Sequence, residues 1–225
     1  ADDAGRLALL EALLCDAHDQ LRDRGVEPDV LGGVSLGGTL SLRLGGRLAR
    51  PPRALLLMAS GGRRVASVRR RAVRAAMDAL GDEPFALQHL GLTDAATDDA
   101  PDELGAAQHY VRVTTEVTAY LDHLRTHVWQ GPGLPARARA AVAMLDAALA
   151  IDFEEEMRSN RARALVVAGD GDRIFTPRYI VRYAELLAHS ETYVLEGVGH
   201  YPPLEAPDAV AALLLSALPE TSARP

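Results

Sequence analysis

Ser35 lies within Gly33-Val34-Ser35-Leu36-Gly37, between a strand-like and a helix-like segment. A serine in that context sits on a sharp strand-to-helix turn that presents its hydroxyl for nucleophilic attack. Glycine at 33 and 37 lets the backbone turn tightly without a Cβ clash. The peptide N–H of Leu36, which opens the next helix, would face a developing oxyanion. A hydroxyl is a poor nucleophile at neutral pH, so a base must take its proton during attack.

Two segments far downstream carry groups suited to that task. Residues 165–172 (Leu-Val-Val-Ala-Gly-Asp-Gly-Asp) read as a buried parallel strand running into an acidic loop closed by Pro177. Residues 193–200 (Tyr-Val-Leu-Glu-Gly-Val-Gly-His) read as a second strand running into a Gly-His turn, with Pro202 and Pro203 behind it. His200 is the candidate base, because an unperturbed imidazole titrates near ~6.5 and can take a proton and return it. A carboxylate must hold the imidazole in the right tautomer and stabilise its cation. Asp170 and Asp172 both stand in the acidic loop. All three segments end predicted strands, where open α/β sheets place their ligands.

The stretches GVSLGG, VVAGDGDRIFTP and VGHYPPLEAPDAV resemble the nucleophile, acid and histidine segments of the α/β-hydrolases, and Ser, Asp, His is that family's chain order. The resemblance covers roughly residues 5–60 and 160–218. It implies Ser35 as nucleophile, His200 as base and the Leu36 N–H as an oxyanion donor. It favours Asp172 as the acid, since the family uses an aspartate two to three residues beyond the strand-ending glycine, with a proline a few positions later. Gly169, Asp172 and Pro177 match that layout, and Asp170 stays as the alternative. The implied chemistry is hydrolysis of a small ester, thioester or lactone through an acyl-enzyme, with no metal and no organic cofactor.

The elements that must position these groups can be read from periodicity. Leu7, Leu10, Leu14, Ala17 and Leu21 recur at helical spacing, and Gly25 is a suitable C-terminal stop. A short strand spans 29–34, and the elbow helix carries Leu36, Leu40 and Leu44 on one stripe and ends before Pro51-Pro52. Residues 54–58 form an apolar run suited to a strand buried on both faces. Residues 63–160 hold no convincing strand; helices are expected near 65–80, 103–126, 136–150 and 152–160. Thr176-Pro177 is a helix N-cap followed by proline at the first helical position. The last helix, 207–218, presents Val210, Leu213 and Leu214.

The expected fold is therefore α/β: a mainly parallel sheet of about four strands flanked by helices, with an inserted helical cap. Its parts are 1–62, the first portion of the core with the nucleophile elbow; 63–160, the cap; and 161–225, the second portion with the acid and histidine loops. Family resemblance places such caps over the nucleophile, where they shape the substrate pocket.

Composition narrows the rival classes. The chain has 225 residues, enough to bury a full core, and no apolar run long enough to span a membrane. Its net charge of −7 argues against nucleic acid as a partner. Cys15 is the sole cysteine, which excludes an internal disulfide framework and favours a reducing, cytoplasmic setting. Its neighbours Leu10, Leu13 and Leu14 suggest a buried structural thiol. His123 and His127 have the spacing of a metal pair but lack further ligands and a catalytic glutamate between them. The Asp170-Gly171-Asp172 start of a calcium-loop pattern fails at Ile174 and Phe175. The glycine pairs at 32–33 and 37–38 lack the Gly-Lys-Ser/Thr of a phosphate loop. Arginines 63, 64, 69, 70, 71 and 74 read as a solvated helix face.

One departure from the family has consequences. Complete α/β-hydrolases carry several strands ahead of the elbow, whereas here one helix and one strand precede Ser35. The expected fold lacks those strands, either as an unusual complete hydrolase or as the C-terminal piece of a longer chain. The outer edge of the Ser35 strand should then be exposed and adhesive, unless a second copy or a partner chain covers it. The oxyanion hole would keep only the Leu36 donor; loss of one such donor typically costs about 2.7–4 kcal/mol. The competing expectation is a weak or silent hydrolase-like module that binds or assembles with another chain.

Overall fold

A computed structural model describes residues 3–48, 50–62, 152–172 and 175–218. The chain opens with helix α1 (Asp3–Asp23), followed by β1 (Val30–Val34), α2 (Leu36–Gly45) and β2 (Ala54–Met58). After the inserted stretch come α3 (Glu154–Ser159), β3 (Arg163–Gly169), α4 (Pro177–Ala184), β4 (Ser190–Leu195), α5 (Pro202–Glu205) and α6 (Pro207–Ala217). The four strands form one sheet in the order β1-β2-β3-β4, with every pair parallel. The expected helix at 152–160 is present as α3; the three expected between 65 and 150 lie outside the described residues.

Burial explains which runs became central strands. Every residue of β2 is buried, as are six of the seven in β3, because each has a strand on both sides and helices on both faces. Leu55, Leu57, Val166 and Ala168 pack on one face against Leu42 of α2, Met157 of α3 and Ile180 and Tyr183 of α4. Leu56, Met58, Leu165 and Val167 pack on the other against Val210 and Ala217 of α6, with Leu213 alongside. Leu214, expected on that inward stripe, is instead 40% exposed. β4 starts at Ser190, three residues before its apolar part, where it pairs with Ala164 of β3; among the described residues it is an outer strand, and Glu191 and Thr192 are exposed.

The opening helix packs lightly. Leu10 and Leu14 join Leu40 and Phe153 in a small cluster, while Leu9, Leu13 and Leu21 stay exposed. Cys15 is half-buried rather than fully enclosed. Charge does much of the docking. The buried carboxylate of Glu11 pairs with Arg43 of α2 and with Arg47 in the turn just beyond it, and Arg43 also reaches Glu156 of α3 at 3.6 Å and lies over the Phe153 ring. Gly25, at φ 77°, ends α1 as expected: its N–H donates to the Arg22 carbonyl, and Val26 N–H donates to that of Leu21.

Candidate active site

Ser35 occupies the junction of β1 and α2 with φ 54° and ψ −121°. That region of backbone space belongs almost entirely to glycine, and a serine held there stores strain of order 1–3 kcal/mol. The surroundings fix it from both sides. Its N–H donates to the Met58 carbonyl at 2.9 Å, continuing the β1–β2 ladder into the turn. Its carbonyl accepts from the N–H groups of Gly38 and Thr39 at 3.1 and 3.2 Å. Thr39 Oγ1 also donates to the Gly61 carbonyl at 2.5 Å, tying the start of α2 to the exit of β2.

The glycines around the serine differ in what they do. A Cβ at Gly33 would lie 2.5 Å from the carbonyl carbon of Gly37, so the two backbones touch and neither can yield. At Gly37 itself a Cβ would meet nothing within 4 Å among the described residues. The second steric requirement falls instead on Gly38, whose Cβ would overlap the Ser60 hydroxyl. Leu36, first residue of α2, leaves its N–H without an intrahelical acceptor beside Ser35.

His200 and Asp172 meet at the ends of the next two loops. His200 Nδ1 lies 3.0 Å from Asp172 Oδ2, with both side chains buried. The other carboxylate oxygen, Oδ1, accepts the Phe175 N–H at 2.9 Å, which fixes the carboxylate plane. Asp170 does not face the imidazole. Its exposed Oδ1 accepts the Gly197 N–H at 2.8 Å and so ties the acidic loop to the histidine loop. Gly171 N–H donates to the Val198 carbonyl at 2.9 Å, and a Cβ at Gly169 would overlap the Val198–Gly199 backbone. The two loops are thus pressed together, and only glycine at 169 allows it. Among the described residues no hydrogen bond joins the Ser35 hydroxyl to His200; such bonds are often long without substrate and tighten when it binds.

Three neighbours of the imidazole were missed by sequence reasoning. The Phe175 ring stacks near His200 with centroids 6.0 Å apart, and Tyr201 meets it edge-on at 5.2 Å. Glu205 is buried, and its carboxylate accepts the Gly199 N–H at 2.6 Å and the Tyr201 N–H at 2.8 Å. A glutamate shortly after a helix start was the available signal, since capping boxes use the same reach-back at a position one residue earlier. Thr176 takes the N-cap position before Pro177, but its hydroxyl makes no capping bond. Among the described residues no group of three potential metal ligands gathers, and no helix is long and apolar enough to cross a membrane. His89, His109, His123, His127 and the arginines of 63–74 lie outside the described residues.

The comparisons agree with this architecture. The model of the alpha/beta hydrolase family matches residues 1–213, and the chain belongs to that family. No curated protein sequence matches it. Among solved structures it is similar to a thermophilic esterase from Thermogutta terrifontis, at 19% identity and a TM-score of 0.64, over 92% of this chain and 71% of that one. It is also similar to MenH from S. aureus, at 17% identity and a TM-score of 0.67, over 96% and 75% of the two chains. Est816, an N-acyl homoserine lactone degrading enzyme, matches at 21% identity and a TM-score of 0.57, over 88% and 70%. Identities this low establish the fold alone.

Proposed function

We propose that this protein is a serine hydrolase acting on a small ester, thioester or lactone. The observation that carries the reading is the strained backbone of Ser35, a non-glycine residue held at φ 54° between β1 and α2. Such strain persists only where surrounding structure over-determines it, and it concentrates at sites of chemistry. In this reading Ser35 Oγ attacks the acyl carbon while its proton passes to His200 Nε2. Asp172, bonded to Nδ1, orients the ring and stabilises the imidazolium. The Leu36 N–H receives the developing oxyanion. His200 then returns the proton to the leaving oxygen or sulfur, and water releases the acyl group by the reverse sequence. The substrate class is supported by the family and by two similar structures, an esterase and a lactone-degrading enzyme.

Labelling with a fluorophosphonate, followed by mass spectrometry of the peptides, tests this reading. An adduct on Ser35 that disappears in Ser35→Ala and His200→Ala is the expected result. No adduct on the folded wild-type chain would reject it.

A second reading has its own observation. Among the described residues β1 pairs only with β2, and no described strand covers its other edge. On this view the chain is a weak or silent module completed by strand pairing with another chain.

A further inference from the structure

We infer that Glu205 is a positioning residue that holds the histidine loop in register for His200. The inference rests on the hydrolase reading for its functional meaning, but its geometry stands apart from it. His200 sits in a loop with no regular partner strand, between β4 and α5. A segment of this kind has no strand ladder to hold the imidazole in place. The two peptide N–H groups that flank His200 in the chain, those of Gly199 and Tyr201, both donate to one carboxylate. Oε2 takes the first and Oε1 the second, so a single side chain bridges the histidine along the backbone. Hydrogen bonds to an ionised acceptor are roughly twice as strong as neutral ones, and burial shields these from water.

The opposite flank of the same loop is held by the acidic loop, through Gly197 N–H on Asp170 and Gly171 N–H on the Val198 carbonyl. The histidine loop is therefore clamped from two sides. Asp172 fixes the ring, and Glu205 fixes the backbone that carries the ring. Neither of these two hydrogen bonds touches a reacting atom. The contribution of Glu205 is to keep Nδ1 at bonding distance from Asp172, which in the hydrolase reading leaves the opposite nitrogen to take the Ser35 proton.

Glu205→Gln fills the same space but sets an amide donor against one of the two N–H groups; Glu205→Ala removes both acceptors. Two readouts separate positioning from mere support of the fold. The first is the proton NMR signal of the Nδ1 proton shared by His200 and Asp172, expected far downfield and identified by its loss in His200→Ala. The second is the rate of fluorophosphonate labelling per folded molecule. We expect the signal to broaden or vanish in Glu205→Ala and labelling to slow by about 10²-fold, the scale of a displacement of about 1 Å. Glu205→Gln should fall between Glu205→Ala and wild type, and it serves if the alanine variant does not fold. An unchanged signal and labelling rate in a folded Gln variant would overturn the inference. If wild type fails to label, the hydrolase reading fails, while the downfield signal still decides whether Glu205 orders the His200–Asp172 pair.

Discussion

At the residue scale, the two aspartates left open by the sequence have different partners. Asp172 accepts from the buried imidazole and from Phe175, whereas Asp170 accepts one peptide N–H at the surface. Asp172→Asn should lower turnover about 10⁴-fold, because an amide favours the wrong tautomer. Asp170→Asn keeps an oxygen able to accept from Gly197 and should retain most activity, as assays of the two variants would reveal. Equal losses at both would leave the acid unassigned. Ser35 offers a second test of strain. Ser35→Gly relieves the positive φ and should raise stability by up to about 2 kcal/mol in urea unfolding while abolishing labelling. A destabilised glycine variant would mean that the serine side chain, not the backbone, carries the local energy.

At the element scale, the elbow works because β1 and α2 touch through glycine. Gly33→Ala forces a Cβ against the Gly37 backbone, with no side chain free to move aside, and should sharply lower the melting temperature. Gly37→Ala meets nothing among the described residues and gains helix propensity of up to ~1 kcal/mol, so it should be neutral or stabilising in the same melt. The docking of α1 depends on charge as much as on apolar contact. Removing the buried Glu11 takes the shared carboxylate from Arg43 and Arg47 and leaves Arg43 only its longer contact to Glu156, so Glu11→Ala should cost about 1.5–3 kcal/mol in urea unfolding. Arg47→Ala should cost less, since that side chain is half exposed and Arg43 continues to satisfy the glutamate.

At the scale of the whole molecule, the described sheet has two open sides. β1 is half-buried, with Leu9 and Leu13 of α1 also facing solvent, and Val194 of β4 is 48% exposed. Uncovered strand edges and exposed apolar residues both favour association. If the second reading holds, light scattering should detect oligomers that grow with concentration and persist in salt. A monomer at every concentration, coupled with Ser35 labelling, would favour the hydrolase acting alone.

Much of the candidate site was legible in the sequence because its parts are local. Gly33-x-Ser35 predicts a tight turn, an all-apolar run at 54–58 predicts a strand buried on both faces, and a Gly-His pair after a strand predicts a loop. These rest on sterics and on period, which act between near neighbours. Tertiary structure decided what depends on approach between distant segments. It made Gly38 rather than Gly37 the second steric requirement, because Ser60 of another strand's exit lies there. It separated Asp172 from Asp170, two residues apart, by burying one against His200 and leaving the other in solvent. It also set Glu205 beneath both peptide groups beside the histidine, a role that spacing alone could not assign, because a carboxylate finds its partners through space.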